Sequence, residues 1–285
     1  MTFWEAVLLG IVQGLTEFIP ISSTAHLTIT GKWLGLIRQE APEQWTAFIA
    51  VIQIGTLIAV FAYFWADILA IIRGFTITSI AYLRKRPVEK TAAENSRLGW
   101  LVIIGSIPIG IVGLAFKDLI EGELTKNLWV ISSSLIGLAV LLVAAEFIGR
   151  QHRDMRSLKI SDAVVVGIAQ CFALIPGSSR SGTTITGGLL AGLTRETAAR
   201  FSFLLSIPAI AASGLLELPK ALGSVEIGWT SLATATVVSA ITGYLSIAFL
   251  LRFLKTHTTF VFAGYRVLLG LLIIFLIVSG RISAN

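Results

Sequence analysis

The chain alternates long apolar runs with short polar connections. Six runs read as full membrane spans, at about 45–72, 98–116, 127–148, 197–217, 229–253 and 259–279. Each comes close to or exceeds the ~20 residues that cross a hydrocarbon core. Two further apolar regions, about 3–36 and 160–194, differ from these. A proline and a cluster of hydroxyl side chains interrupt each near its middle, leaving halves of about 10–17 residues, too short to cross alone. The pattern predicts two re-entrant helix pairs. Irregular backbone at membrane depth is tolerated only where protein or a watery cavity surrounds it. The expected fold is all-α and integral to the membrane, with six transmembrane helices plus two re-entrant helix pairs in a single membrane domain, 1–285.

Composition agrees. Of 285 residues, 55% are hydrophobic and 13% charged, against roughly 25% charged in soluble domains. The net charge of +6 is not a nucleic-acid footprint, because the basic residues sit in short connections beside apolar runs. Arg73, Arg84, Lys85, Arg86, Lys90 and Arg97 fall in 73–97, and Arg150, Arg153, Arg156 and Lys159 in 149–160. Connection 117–126 sets Lys117 and Lys126 against Asp118, Glu121 and Glu123. The positive-inside rule then places the first two connections in the cytoplasm, with the third and the N-terminus outside. The first re-entrant pair enters from the outer face and the second from the cytoplasmic face. Cys171, the single cysteine, excludes an intramolecular disulfide.

The two interrupted regions resemble each other. "GIVQGLTEFIPISS" (Gly10 to Ser23) and "GIAQCFALIPGSS" (Gly167 to Ser179) share Gly-Ile-x-Gln, Ile-Pro and Ser-Ser with a one-residue gap. Internal similarity with opposite entry predicts an inverted-topology repeat, repeat one about 1–116 and repeat two about 127–285. In such folds the site lies near the midplane, where broken helices meet.

At each interruption the proline ends one half-helix and hydroxyl residues start the next. Ser and Thr are good N-caps, and a helix N-terminus attracts anions. Ser22 and Thr24 at one tip, and Ser178, Ser179, Ser181, Gly182 and Thr183 at the other, line an expected phosphate-sized site. A serine in this setting is more often a cap than a nucleophile. Arg180 and Glu17 carry more information, since charge at membrane depth is expensive, and Arg180 offers a fork suited to phosphate oxygens. Gln13 lies four residues before Glu17, on the same helix face. Glu17 either holds a divalent cation such as Mg²⁺ or Ca²⁺ through hard oxygen ligands, or pairs with Arg180. His26 follows Ser23 by three residues and can reach the tip. Elsewhere, Glu146 and Arg150 are spaced for an interfacial pair. Asp67 and Glu217 stand near span ends, and His152 and His257 read as surface residues.

At these residues the chain resembles the undecaprenyl-diphosphate phosphatase family of the bacitracin-resistance type. "QGLTEFIPISSTAH" is similar to the family's (E/Q)xxxE stretch and Pro-x-Ser-Ser-Thr-x-His, and "PGSSRSG" to its Pro-Gly-x-Ser-Arg-Ser-Gly. The likeness runs over essentially the whole chain. It implies removal of the terminal phosphate from a C55 isoprenyl diphosphate with a divalent cation, at the outer (periplasmic) side of a bacterial inner membrane. It also implies roles for Glu17 and Gln13 on the metal and diphosphate, Ser23 as nucleophile, His26 as assisting acid or base and Arg180 as phosphate clamp. The implied partners are the polyprenyl diphosphate and membrane lipids, with a homodimer left open. Gln13 stands where some members carry Glu, and Ala25 where some carry Gly. A different lipid-phosphatase motif, SR-x5-H-x3-D, does not fit, because Thr186 stands where its His belongs. A second reading is a transporter or flippase of a phosphorylated lipid or anion, since inverted repeats with broken helices are common there. A hydroxyl beside a carboxylate and a histidine is more than binding alone requires.

Overall fold

The structure is a computed structural model describing residues 1–37, 42–116, 127–223 and 228–284. The acidic connection 117–126 lies outside the described residues. Within them the chain is helical: α1 Phe3–Phe18, α2 Ser23–Trp33, α3 Pro42–Tyr63, α4 Trp65–Leu83, α5 Lys90–Ala115, α6 Leu128–Ile148, α7 Ile160–Cys171, α8 Arg180–Leu190, α9 Arg195–Gly223, α10 Trp229–Leu254 and α11 Phe260–Val278. Seven of these are long and apolar enough to cross a membrane: α3 to α6 and α9 to α11.

The seventh arises at Phe64. The expected span 45–72 is two helices, α3 and α4, parted by this one residue at φ −99°, ψ 21°. α4 packs along the first half of α5 rather than on α3. Gly74 lies against Ala92 and Ser96, and Gly99 against Phe75 and Ile71. Arg73 and Arg97, expected in a loop, are therefore helical, and the connection shrinks to 84–89. A phenylalanine gives a sequence window no reason to break there.

α1–α2 and α7–α8 are the two short helix pairs, and they open at opposite ends of α6. At the start of α6, Leu128 N–H donates to the Ala284 carbonyl (2.8 Å) and Lys32 Nζ, at the end of α2, donates to the Ser283 carbonyl (3.2 Å). At its far end, Gly149 abuts the Leu189 carbonyl near the end of α8. His152 and Arg153 N–H donate to the Gly192 carbonyl there (3.2 and 3.1 Å). Arg97 Nη2 reaches the Arg156 carbonyl (2.5 Å), so α5 begins at this second, basic end. The 21 residues of α6 put about 30 Å between the two ends.

Each pair docks on a full-length helix through glycine. A Cβ on Gly10 would sit 2.6 Å from the Ala235 carbonyl of α10, and one on Gly14 1.9 Å from Thr242 Oγ1. A Cβ on Gly167 would sit 2.4 Å from the Gly105 carbonyl of α5. Close backbone approach through small residues is how helices associate where lipid removes the hydrophobic drive. The pair Glu146–Arg150 does not form. Helix α6 ends at Ile148, so the helical spacing between them is lost and Arg150 is exposed. Glu146 instead accepts from Arg195 of α9 and from Thr259 Oγ1 (2.6 Å). Asp67 pairs with Arg200 (2.8 Å), and Glu217, expected near the interface, is buried.

Cysteine labelling of intact cells, in a Cys171→Ser background, checks the orientation that the basic end implies. Lys85→Cys should resist an impermeant reagent added outside, and Arg281→Cys should react. The reverse pattern would invert the molecule.

Candidate functional site

The two tips are built alike. Ser22 caps α2, its Oγ accepting from Ala25 N–H (3.3 Å), and Ser179 caps α8, its Oγ accepting from Gly182 N–H (3.2 Å). Both serines sit at positive φ, 77° and 65°, with ψ of 98° and 109°. Non-glycine residues rarely adopt this region, and holding one there costs on the order of 1–3 kcal/mol. The caps are 179 − 22 = 157 residues apart, and the same offset relates Gln13 to Gln170, Gly31 to Gly188 and Gly35 to Gly192. The Ser-Ser motifs suggested another register. In the folded tips Ser23 corresponds to Arg180, each the first residue of its half-helix.

These two residues meet at one carboxylate. Glu17, in the last turn of α1 and 5% exposed, accepts from Ser23 Oγ at 2.7 Å and Gln13 Nε2 at 3.0 Å through Oε2. Its Oε1 accepts from Arg180 Nη2 at 2.5 Å. Of the two roles open to Glu17, the pair with Arg180 is present. Ser181 Oγ adds a second link between the tips, donating to the Ile19 carbonyl (3.4 Å).

His26 is committed elsewhere. Its Nδ1 lies 2.7 Å from the Ser22 carbonyl, which can only accept, so Nδ1 carries the proton. In the neutral ring Nε2 is then an acceptor, and Tyr265 O–H donates to it at 2.7 Å. The two rings stack, 7° from parallel. The Ser23 hydroxyl points to Glu17, not to His26.

A family model described as bacitracin resistance protein BacA matches residues 6–272. The chain is 55% identical to an undecaprenyl-diphosphatase of Syntrophobacter fumaroxidans, over 95% of each chain. It is 49% identical to one of Chlorobium phaeovibrioides over 99% of each, and 45% identical to one of Mycolicibacterium smegmatis over the full length of both. The chain belongs to the BacA family.

The remaining expected residues of this BacA-family site fall into three groups. Thr183 Oγ1 turns back onto the Arg180 carbonyl (3.0 Å), so that hydroxyl is spent inside α8. Thr24 is half-buried in the first turn of α2. Ser178 is fully buried, and its hydroxyl has no partner among the described residues. Two residues were missed from sequence. Tyr265 gives no signal in an aromatic-rich span. Arg266 does: it is a charge inside the run 259–279, and the cost argument applied to Arg180 applies equally to it.

The cap geometry predicts unequal responses at Ser22. Ser22→Ala loses the cap and keeps the strain, and should cost about 1 kcal/mol. Ser22→Gly loses the cap but relieves the positive φ, and should melt within a degree or two of the parent, the scale of a few tenths of a kcal/mol. Equal losses in both variants would remove the strain from this picture.

Proposed function

We propose that the chain removes the terminal phosphate of undecaprenyl diphosphate, returning undecaprenyl phosphate as a carrier for cell-wall synthesis. One observation carries the chemistry: the Ser23 hydroxyl, the Glu17 carboxylate and the Arg180 guanidinium are joined in series at two helix N-termini inside a membrane protein. The substrate comes from the name shared by the relatives. The isoprenyl tail lies among the membrane-facing helices, the diphosphate reaches the tips, and the site is served from the outer side.

In this reading Glu17 Oε2 takes the Ser23 proton as Ser23 Oγ attacks the terminal phosphorus. The Oγ–P bond forms, the bridging P–O bond breaks, and the lipid monophosphate leaves. Water then cleaves the phosphoserine, inorganic phosphate departs and Ser23 regains its proton. Arg180 and the free N–H groups at the starts of α2 and α8 stabilise charge on the transferring oxygens. His26 assists through Nε2, the nitrogen that Tyr265 now engages.

A divalent cation is part of this reading. Gln13 Oε1 is buried without a hydrogen-bond partner among the described residues, while Nε2 of the same amide donates to Glu17. Gln13 and Glu17 would hold Mg²⁺ or Ca²⁺, with diphosphate oxygens completing the shell, the usual arrangement for Mg²⁺ at phosphate sites. Such an ion would neutralise phosphate charge as it develops.

Phosphate release from the purified protein tests the reading. Ser23→Ala should abolish release while lipid binding and melting temperature stay near the parent values. Arg180→Lys keeps the charge but loses the fork, and should cost at least ~100-fold in turnover, about 2.7 kcal/mol of barrier. EDTA should stop release, and Mg²⁺ or Ca²⁺ restore it. Turnover within a few fold in Ser23→Ala would leave direct attack by water as the better account. Indifference to chelator would remove the metal.

A further inference from the structure

Arg266 heads the fully buried side chains among the described residues, at 0% exposure in the first half of α11. Its Nη2 donates to the Ser178 carbonyl at 2.9 Å and more weakly to the Ser134 carbonyl of α6 at 3.5 Å. Nε and Nη1 have no hydrogen-bond partner among the described residues. Nη1 lies against the first turn of α8, where a Cβ on Gly182 would come within 2.6 Å of it. Among the described residues no carboxylate pairs with it, whereas Arg153, Arg180, Arg195 and Arg200 each have one.

A guanidinium does not shed its proton in a protein, and an unpaired buried charge is costly. For the free protein Arg266 is therefore a burden, and two backbone carbonyls offset little of it. Its position suggests what offsets the rest. It stands directly behind Ser178, Ser179 and Gly182, the residues that form the N-terminus of α8. Glu17 already neutralises Arg180. The tips and Arg266 together thus hold one positive charge in excess among the described residues. That charge is turned toward a helix end that itself favours anions.

We infer that Arg266 is a positioning residue whose counter-charge is the diphosphate of the substrate: it fixes the tip through the Ser178 carbonyl and supplies a buried positive field behind the start of α8. This rests on the phosphatase reading of the same site. A residue that merely pins the tip would stabilise the free protein. A charge kept for a ligand destabilises the free protein and strengthens anion binding.

The test uses the full-length protein in detergent, with phosphate release and thermal melting measured with and without inorganic pyrophosphate. Arg266→Met should melt at or above the parent temperature without ligand. Its KM should rise about tenfold or more, the scale of one interaction with a charged group, and pyrophosphate should no longer raise its melting temperature. An Arg266→Met protein that melts lower but keeps its KM and its pyrophosphate response would overturn the inference and leave a packing role. If the Met variant cannot be recovered folded, Arg266→Lys decides. With the charge retained, its pyrophosphate response should persist, and loss of that response in a folded Lys variant would equally overturn the inference. A parent protein that releases no phosphate would instead sink the phosphatase reading, an outcome distinct from either.

Discussion

The site depends on one carboxylate placed between two helix pairs that enter from opposite ends of the bundle. Glu17 belongs to the first pair and Arg180 to the second, and their contact is the point where the two tips lock. Either charge left unpaired there would be costly. Paired, they hold each other, and Gln13 and Ser23 satisfy the second oxygen of the carboxylate. The glycine seams that bring α1 onto α10 and α7 onto α5 deliver the tips to this point. A shift of one helix in either seam would separate the ion pair and leave two buried charges uncompensated.

The backbone of the tips bears a cost that the packing must sustain. Ser22 and Ser179 are non-glycine caps at positive φ, and their strain persists because both flanking helices are held by neighbours. In return, the first residue of each half-helix is presented at the shared centre: a hydroxyl from one tip and a guanidinium from the other. Equivalent positions in two similar tips thus carry different chemistry, and both reach the same carboxylate. One tip carries Glu17, whereas the residue 157 positions on is Leu174. At this position only one of the two tips carries a carboxylate.

Much of this was legible in the sequence because polar residues in apolar runs are rare and costly. Proline with hydroxyls inside regions 3–36 and 160–194 announced the tips, and Glu17 and Arg180 announced themselves as charges. What was illegible has physical reasons. The break at Phe64 has no local signature, so one span was expected where two helices stand. Glu146 and Arg150 had helical spacing, but the helix ends before Arg150, and Arg195 arrives from α9 instead. The Ser-Ser motifs aligned by identity, whereas the folded tips align by cap position, one residue off. The partner of His26 comes from Tyr265, 239 residues later, a pairing that only the fold creates. Arg266 was legible and overlooked.

The central claim is that Glu17 acts through its charge, as proton acceptor for Ser23 and counter-ion for Arg180. Glu17→Gln keeps the size and an oxygen acceptor but removes that charge. Phosphate release measured for this variant under saturating lipid diphosphate and divalent cation tests the claim most directly. The account predicts a loss of about 10²–10⁴-fold, the range of general-base catalysis, with lipid still bound. Turnover within a few fold of the parent would contradict it, showing that Ser23 is activated from elsewhere and that the Glu17 contact only holds the tips together.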